Sequence, residues 1–139
     1  MKKLIPINLL MITVFICANL FTTLAYSQEN STEIYTTVEK QPQFPGGTDA
    51  LMKYLNKSIQ YPADAIEKGI QGSVYITFVV EADGSLSNTK VLRGIGGGCD
   101  EEAIRVIKNM PKWEPGIEKG KPVRVQFNIP IRFTLLDTK

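Results

Sequence analysis

The sequence predicts an α+β fold: a three-stranded antiparallel sheet with helices packed on one face. Two alternations and two stripes predict it. Val74, Ile76, Phe78 and Val80 alternate with Tyr75, Thr77, Val79 and Glu81, and residues 123–135 alternate over a longer run. Period two marks strands with one buried face. Leu51, Leu55 and Ile59 recur every four residues, and Ala103, Val106, Ile107 and Met110 share a helical face. Such stripes need an apolar surface to cover, and the sheet supplies it.

The chain begins with Lys2 and Lys3, an apolar run over residues 4–24 and the small-x-small site Ala25-Tyr26-Ser27. That is the layout of a secretory signal peptide, residues 1–27. The run is also near the roughly 20 residues that cross a bilayer, so an uncleaved N-terminal membrane anchor is the competing reading. Cys17 follows Val14-Phe15-Ile16 rather than the small residues of a lipidation site. Residues 28–40 read as a polar linker with a short strand around 34–38. The compact domain, 41–139, begins at the turn-rich Gln41-Pro42-Gln43-Phe44-Pro45-Gly46-Gly47.

Thr48 and Asp49 are placed to cap the first helix. Tyr61-Pro62 stops it, and Pro62 suits the first position of a second, short helix ended by Gly69. Asp83-Gly84 is a hairpin turn signal. The return strand, 85–92, alternates poorly, which indicates an edge or a bulge. The glycines of 94–98 break the chain before a helix capped by Cys99 or Asp100. Its acids (Asp100, Glu101, Glu102) and its bases (Arg105, Lys108) sit at the ends that the helix dipole favours. Pro111 closes that helix, and residues 116–121 form a turn. Pro130 lies inside the last strand and cannot donate a ladder hydrogen bond, which puts that strand at a sheet edge. Right-handed crossover makes it parallel to the return strand, with the Val74 strand between them and antiparallel to both. Trp113 either covers an end of the core or serves as a recognition aromatic.

Sixteen basic residues face 14 acidic ones, and loss of Lys2 and Lys3 with a leader leaves the two equal. No basic surplus exists to hold a phosphate backbone, so nucleic acid is not an expected partner. There is no histidine, which removes Ser-His-Asp and Cys-His catalysis and most zinc sites. No enzyme activity, metal or cofactor is expected. Gly94-Ile95-Gly96-Gly97-Gly98 lacks the Gly-Lys-Ser/Thr ending of a phosphate loop and reads as a connection. Cys99 alone cannot close an intramolecular disulfide once Cys17 is removed; it reads as a small residue at a helix start, an intermolecular disulfide or a reactive thiol.

The ordered set Tyr61-Pro62-Ala63, Gly69-Ile70-Gln71-Gly72-Ser73-Val74, Asp83-Gly84-Ser85-Leu86, Asp100-Glu101-Glu102-Ala103, Met110-Pro111-Lys112-Trp113-Glu114-Pro115-Gly116 and Asn128-Ile129-Pro130-Ile131-Arg132-Phe133 resembles the TonB C-terminal domain family over residues 38–135. The resemblance implies a periplasmic, energy-transducer-like module. It would grip the N-terminal segments of outer-membrane transporters by adding them as a strand to the sheet edge. It also implicates the stretch before Tyr61, here Ser58-Ile59-Gln60.

The expected partner-binding residues are therefore Ser58, Gln60 and Tyr61, together with Arg124, Val125, Gln126, Phe127, Asn128 and Arg132 on the last strand. Arg124, Gln126 and Arg132 share its outward face and are read equally well as merely solvated. The thirteen residues of 28–40 reach at most roughly 45 Å, too short a spacer to cross the envelope from an inner-membrane anchor. An inner-membrane energising complex or an anchored homologue is then the expected relay. The alternative function is an envelope adaptor that uses the same edge for a homodimer or for another envelope protein.

Overall fold

The structure is a computed structural model and describes residues 32–136. The expected leader or anchor, residues 1–27, lies outside the described residues. The elements in chain order are β1 (Ile34–Tyr35), α1 (Gly47–Ser58), α2 (Ala63–Glu67), β2 (Gly72–Val80), β3 (Leu86–Arg93), α3 (Cys99–Lys108), β4 (Gly116–Glu118) and β5 (Lys121–Phe133).

The α+β class holds, and β2 lies between β3 and β5, antiparallel to both. The sheet is larger than three strands: its order is β1-β5-β2-β3, and β4 pairs with β5. β1 falls within the short strand expected around 34–38, though the sequence does not foresee its place in the sheet, and β4 comes from a segment read as a turn. Both are too short to carry a visible alternation. Lys119 and Gly120 between β4 and β5 have φ of 49° and 72°, the two left-handed residues that a type I′ hairpin demands. Residues 34–35 and 40, within the expected linker, are tied to the domain by backbone pairing. β1 runs parallel to β5 at Arg124 and Val125. Lys40 exchanges backbone hydrogen bonds with Ile117 (3.1 and 2.9 Å), and Gln43 does so with Glu114 (3.0 and 2.8 Å).

Neither long helix uses the expected side-chain cap. α1 follows Gly46 (φ 87°) and α3 follows Gly98 (φ 85°), with no side-chain cap bond at either. Thr48, Asp49, Cys99 and Asp100 all fall inside the first turns. The Asp100 carboxylate turns back to accept from the amides of Ile95 (2.8 Å) and Gly96 (3.3 Å). Those donors of the glycine-rich loop are thereby occupied by the protein itself.

Val74, Ile76, Phe78 and Val80 are fully buried and meet Ile129, Ile131 and Phe133 of β5, Leu51 and Leu55 of α1, and Ala103, Val106 and Ile107 of α3. Cys99 is a free, buried thiol in this cluster. β2 also buries Thr77 and Val79 on its other face, contrary to the one-faced expectation. A central strand is shielded from both sides, and the Gln126 side-chain amide donates to the Thr77 hydroxyl at 3.2 Å. Trp113 is a core residue with its ring centroid 5.9, 5.4 and 5.2 Å from those of Phe44, Phe78 and Phe127, all near edge-to-face. Its indole N–H has no hydrogen-bond partner among the described residues.

The β2–β3 loop is one residue longer than a two-residue turn. Glu81 N–H donates to Ser85 (2.8 Å), and Gly84, at φ 85°, donates to Glu81 (2.8 Å) and accepts from Trp113 N–H (2.8 Å). β3 is both an edge and irregular, with two register shifts against β2 and Asn88 at φ 51°. A Cβ on Gly84 would lie 2.0 Å from the Trp113 carbonyl oxygen. Gly84→Ala is therefore expected to lose more than the roughly 1–2 kcal/mol of a left-handed φ alone, read as a lower urea midpoint with an unchanged slope.

Candidate functional site

The backbone of β5 can be oriented from two independent observations. Glu81 N–H points toward the β3 side. Alternation along β2 then turns Val74, Ile76, Phe78 and Val80 toward β5, where their partners are Ile131, Ile129, Phe127 and Val125. Pro130 stands opposite Tyr75 with no break in register, as a residue without an N–H can only do at a position that does not donate to the ladder. Both place the amides of Gln126, Asn128 and Arg132 on the side of β5 away from β2. Among the described residues, no strand pairs with that side beyond Val125.

The open border is thus 126–133, which leaves out Arg124 and Val125 of the expected partner residues. β1 already pairs with Arg124 and Val125, and Val125 is fully buried. Gln126, Asn128 and Arg132 are exposed, and Phe127 is half-buried over the core. The Arg124 guanidinium is engaged: it donates to the Glu81 carboxylate (2.6 and 3.1 Å) and to the Thr32 carbonyl (3.1 Å). Arg132 has no ion pair among the described residues. Two arginines of identical sequence character are therefore in different states.

The 58–61 stretch meets β5 only at its far end. The Tyr61 ring packs edge-on against Phe133, with centroids 5.5 Å apart, and its hydroxyl donates to the Ile70 carbonyl. Ser58 and Gln60 are tied to α3 instead. The Ser58 carbonyl accepts from Arg105 (2.9 Å), and Gln60 N–H donates to Glu102 (2.8 Å). The sequence reading missed this tether; its signal is the Glu102–Arg105 pair at i, i+3. A cleft of ≈ 60 Å³ opens beside Phe44, Leu51, Trp113 and Phe127, well below the ~300–1,000 Å³ of small-molecule sites.

The family model for the Gram-negative bacterial TonB protein C-terminal matches residues 57–135. The chain belongs to the TonB C-terminal domain family. Among curated relatives, Protein TonB of Vibrio cholerae is 35% identical over 77 residues, covering 55% of this chain and 31% of that protein. Protein TonB of Helicobacter pylori is 28% identical over 113 residues, covering 78% of this chain and 38% of that one. The chain thus spans about a third of the length of these relatives. Two NMR solution structures of the H. pylori TonB C-terminal domain are similar, at 25% and 27% identity with TM-scores of 0.48 and 0.49. They cover 62% and 67% of this chain, and 90% and 88% of theirs. The TonB family match begins at residue 57, so β1, the segment 36–46 and α1 up to Asn56 lie before it. No helix among the described residues is long and apolar enough to cross a membrane.

The hydrogen bond from Arg124 holds the Glu81 carboxyl below its usual range; the Ser87 hydroxyl helps, and burial opposes. A depressed carboxylate contributes stability above its unfolded pKa and loses it as pH falls through the folded one. Glu81→Gln is therefore expected to cost about 0.5–1 kcal/mol at pH 7. In urea titrations the gap to wild type should close as pH falls below the usual carboxylate range.

Proposed function

We propose that this TonB-family domain is a periplasmic binding module that takes N-terminal segments of TonB-dependent outer-membrane transporters as an added strand on β5, contributing to energised nutrient uptake. The observation that carries this reading is the unpaired side of residues 126–133. Gln126, Asn128 and Arg132 offer N–H and C=O groups there, and Pro130 offers a carbonyl alone. Unpaired main-chain groups on a flat edge are a template for another extended chain. The role is binding rather than catalysis. The apolar leader or anchor delivers the domain to the periplasm, and an energising inner-membrane complex or an anchored homologue supplies the force. Tyr61, beside Phe133, borders the docked segment, whereas Ser58 and Gln60 act indirectly by holding the α1–α2 junction against α3.

The test is a pair of proline variants measured against peptides from transporter N-termini. Gln126→Pro removes an outward donor, so binding should weaken roughly 2- to 12-fold, one net hydrogen bond, with the fold intact by circular dichroism. Val125→Pro removes an inward donor to β2, so it should lower stability by about 1–3 kcal/mol through the orphaned Val80 carbonyl. A panel of such peptides that all fail to bind the wild-type protein would sink the reading.

A further inference from the structure

The sheet face turned away from the helices carries charge that the composition hides. Tyr75 is exposed on it (43%). Arg93 stands directly opposite Tyr75, Lys90 opposite Thr77, and Arg132 opposite Ser73, and directly opposed side chains share a face. The carboxylate at the end of β2 on this face, Glu81, is already bound by Arg124. Lys90, Arg93 and Arg132 have no ion-pair partner among the described residues. Among the described residues the face therefore holds three cations without an ion pair, in a chain whose basic excess is only two.

Distance decides which of them a docked strand meets. Strands lie about 4.7–4.9 Å apart. A segment added beside β5 is one spacing from Arg132 and three from Arg93 and Lys90, about 14 Å, which exceeds the roughly 8–10 Å screening length near physiological salt. Arg132 is the direct contact; the other two act at low salt. Nearer the start of the open edge, Arg124 is neutralised by Glu81, and Gln126, Asn128 and Pro130 carry no charge. Along β5 itself the open edge is uncharged from Gln126 to Pro130 and cationic at Arg132.

Resting on the strand-addition reading, we propose that β5 selects an extended segment with a carboxylate at the position opposite Arg132, on the face away from the helices. The intervening positions on the other face pack toward Phe127, Ile129 and Ile131 and are apolar. Arg132 then fixes the direction and register of the segment as well as choosing its charge, because a slip by one residue moves the carboxylate to the apolar face.

The test uses the full chain and fluorescein-labelled peptides of about eight residues, the length of the open edge. They alternate apolar and polar residues and differ only in one Asp, its Asn counterpart, or Lys at a terminal polar position. At low salt the Asp peptide should bind roughly two- to five-fold tighter than the Asn peptide, and the Lys peptide weaker than both. The Asp advantage should vanish in Arg132→Gln, persist in Arg132→Lys, and shrink at about 0.5 M salt, roughly three times physiological ionic strength. In Arg132→Gln the three peptides should converge to within about twofold of one another, whereas a merely structural role would weaken all three alike and keep their ranking. Equal binding of Asp and Asn peptides, or an Asp advantage that survives Arg132→Gln, overturns the charge selection and leaves strand addition standing. Binding of none of the peptides, or binding indifferent to Gln126→Pro, overturns strand addition and this inference with it.

Discussion

The antiparallel ladder between β2 and β5 is the constraint on which the rest depends. It runs from Gly72 opposite Phe133 to Val80 opposite Val125 with no shift in register. That continuity turns one set of side chains on both strands into the helix-covered core and the other set outward. It also fixes which amides are used inside the sheet and which face away. A slip of one residue would expose Ile129 and Ile131 and bury Arg132. The core and the candidate docking edge are thus two consequences of one alternation.

The sheet has two borders, and they are not equivalent. β3 is interrupted by two register shifts and by Asn88 in a left-handed conformation, which twists its outer groups out of line. Irregularity of that kind blunts an edge against pairing. β5 keeps regular geometry from 126 to 133 and, among the described residues, is closed on that side at its start by β1. The Glu81–Arg124 pair reinforces that closure, since the same guanidinium also holds the Thr32 carbonyl. The regular border is the one left open, and its single built-in defect is the missing donor at Pro130.

Much of the fold was legible because its long elements repeat their pattern. The alternation of β2 and β5, the stripes of α1 and α3, and Pro130 as an edge marker all carried through to the structure. The short pieces carried through less well: the sequence predicts a strand around 34–38 but not its pairing with β5, and it reads 116–118 as a turn. β1 and β4 have two and three residues; the partner of β1 lies far away in sequence, whereas β4 folds straight back onto β5 through Lys119 and Gly120. The caps misled for a local reason: Thr48, Asp49 and Asp100 are good capping residues, but left-handed Gly46 and Gly98 start the helices earlier in the chain, and Asp100 found nearer donors at Ile95 and Gly96.

By itself the sequence determined the class of fold, the strand carrying the edge, the family, and the outward placement of Arg124, Gln126, Asn128 and Arg132. Periodicity encodes which face a residue takes, and periodicity is local. Only the tertiary structure decided how far the edge extends and which arginine along it keeps an unneutralised charge. Those answers depend on contacts between Arg124 and Glu81, and between β1 and β5, that join residues dozens of positions apart. Arg124 and Arg132 occupy the same face of one strand, and nothing in their local sequence distinguishes an occupied guanidinium from a free one.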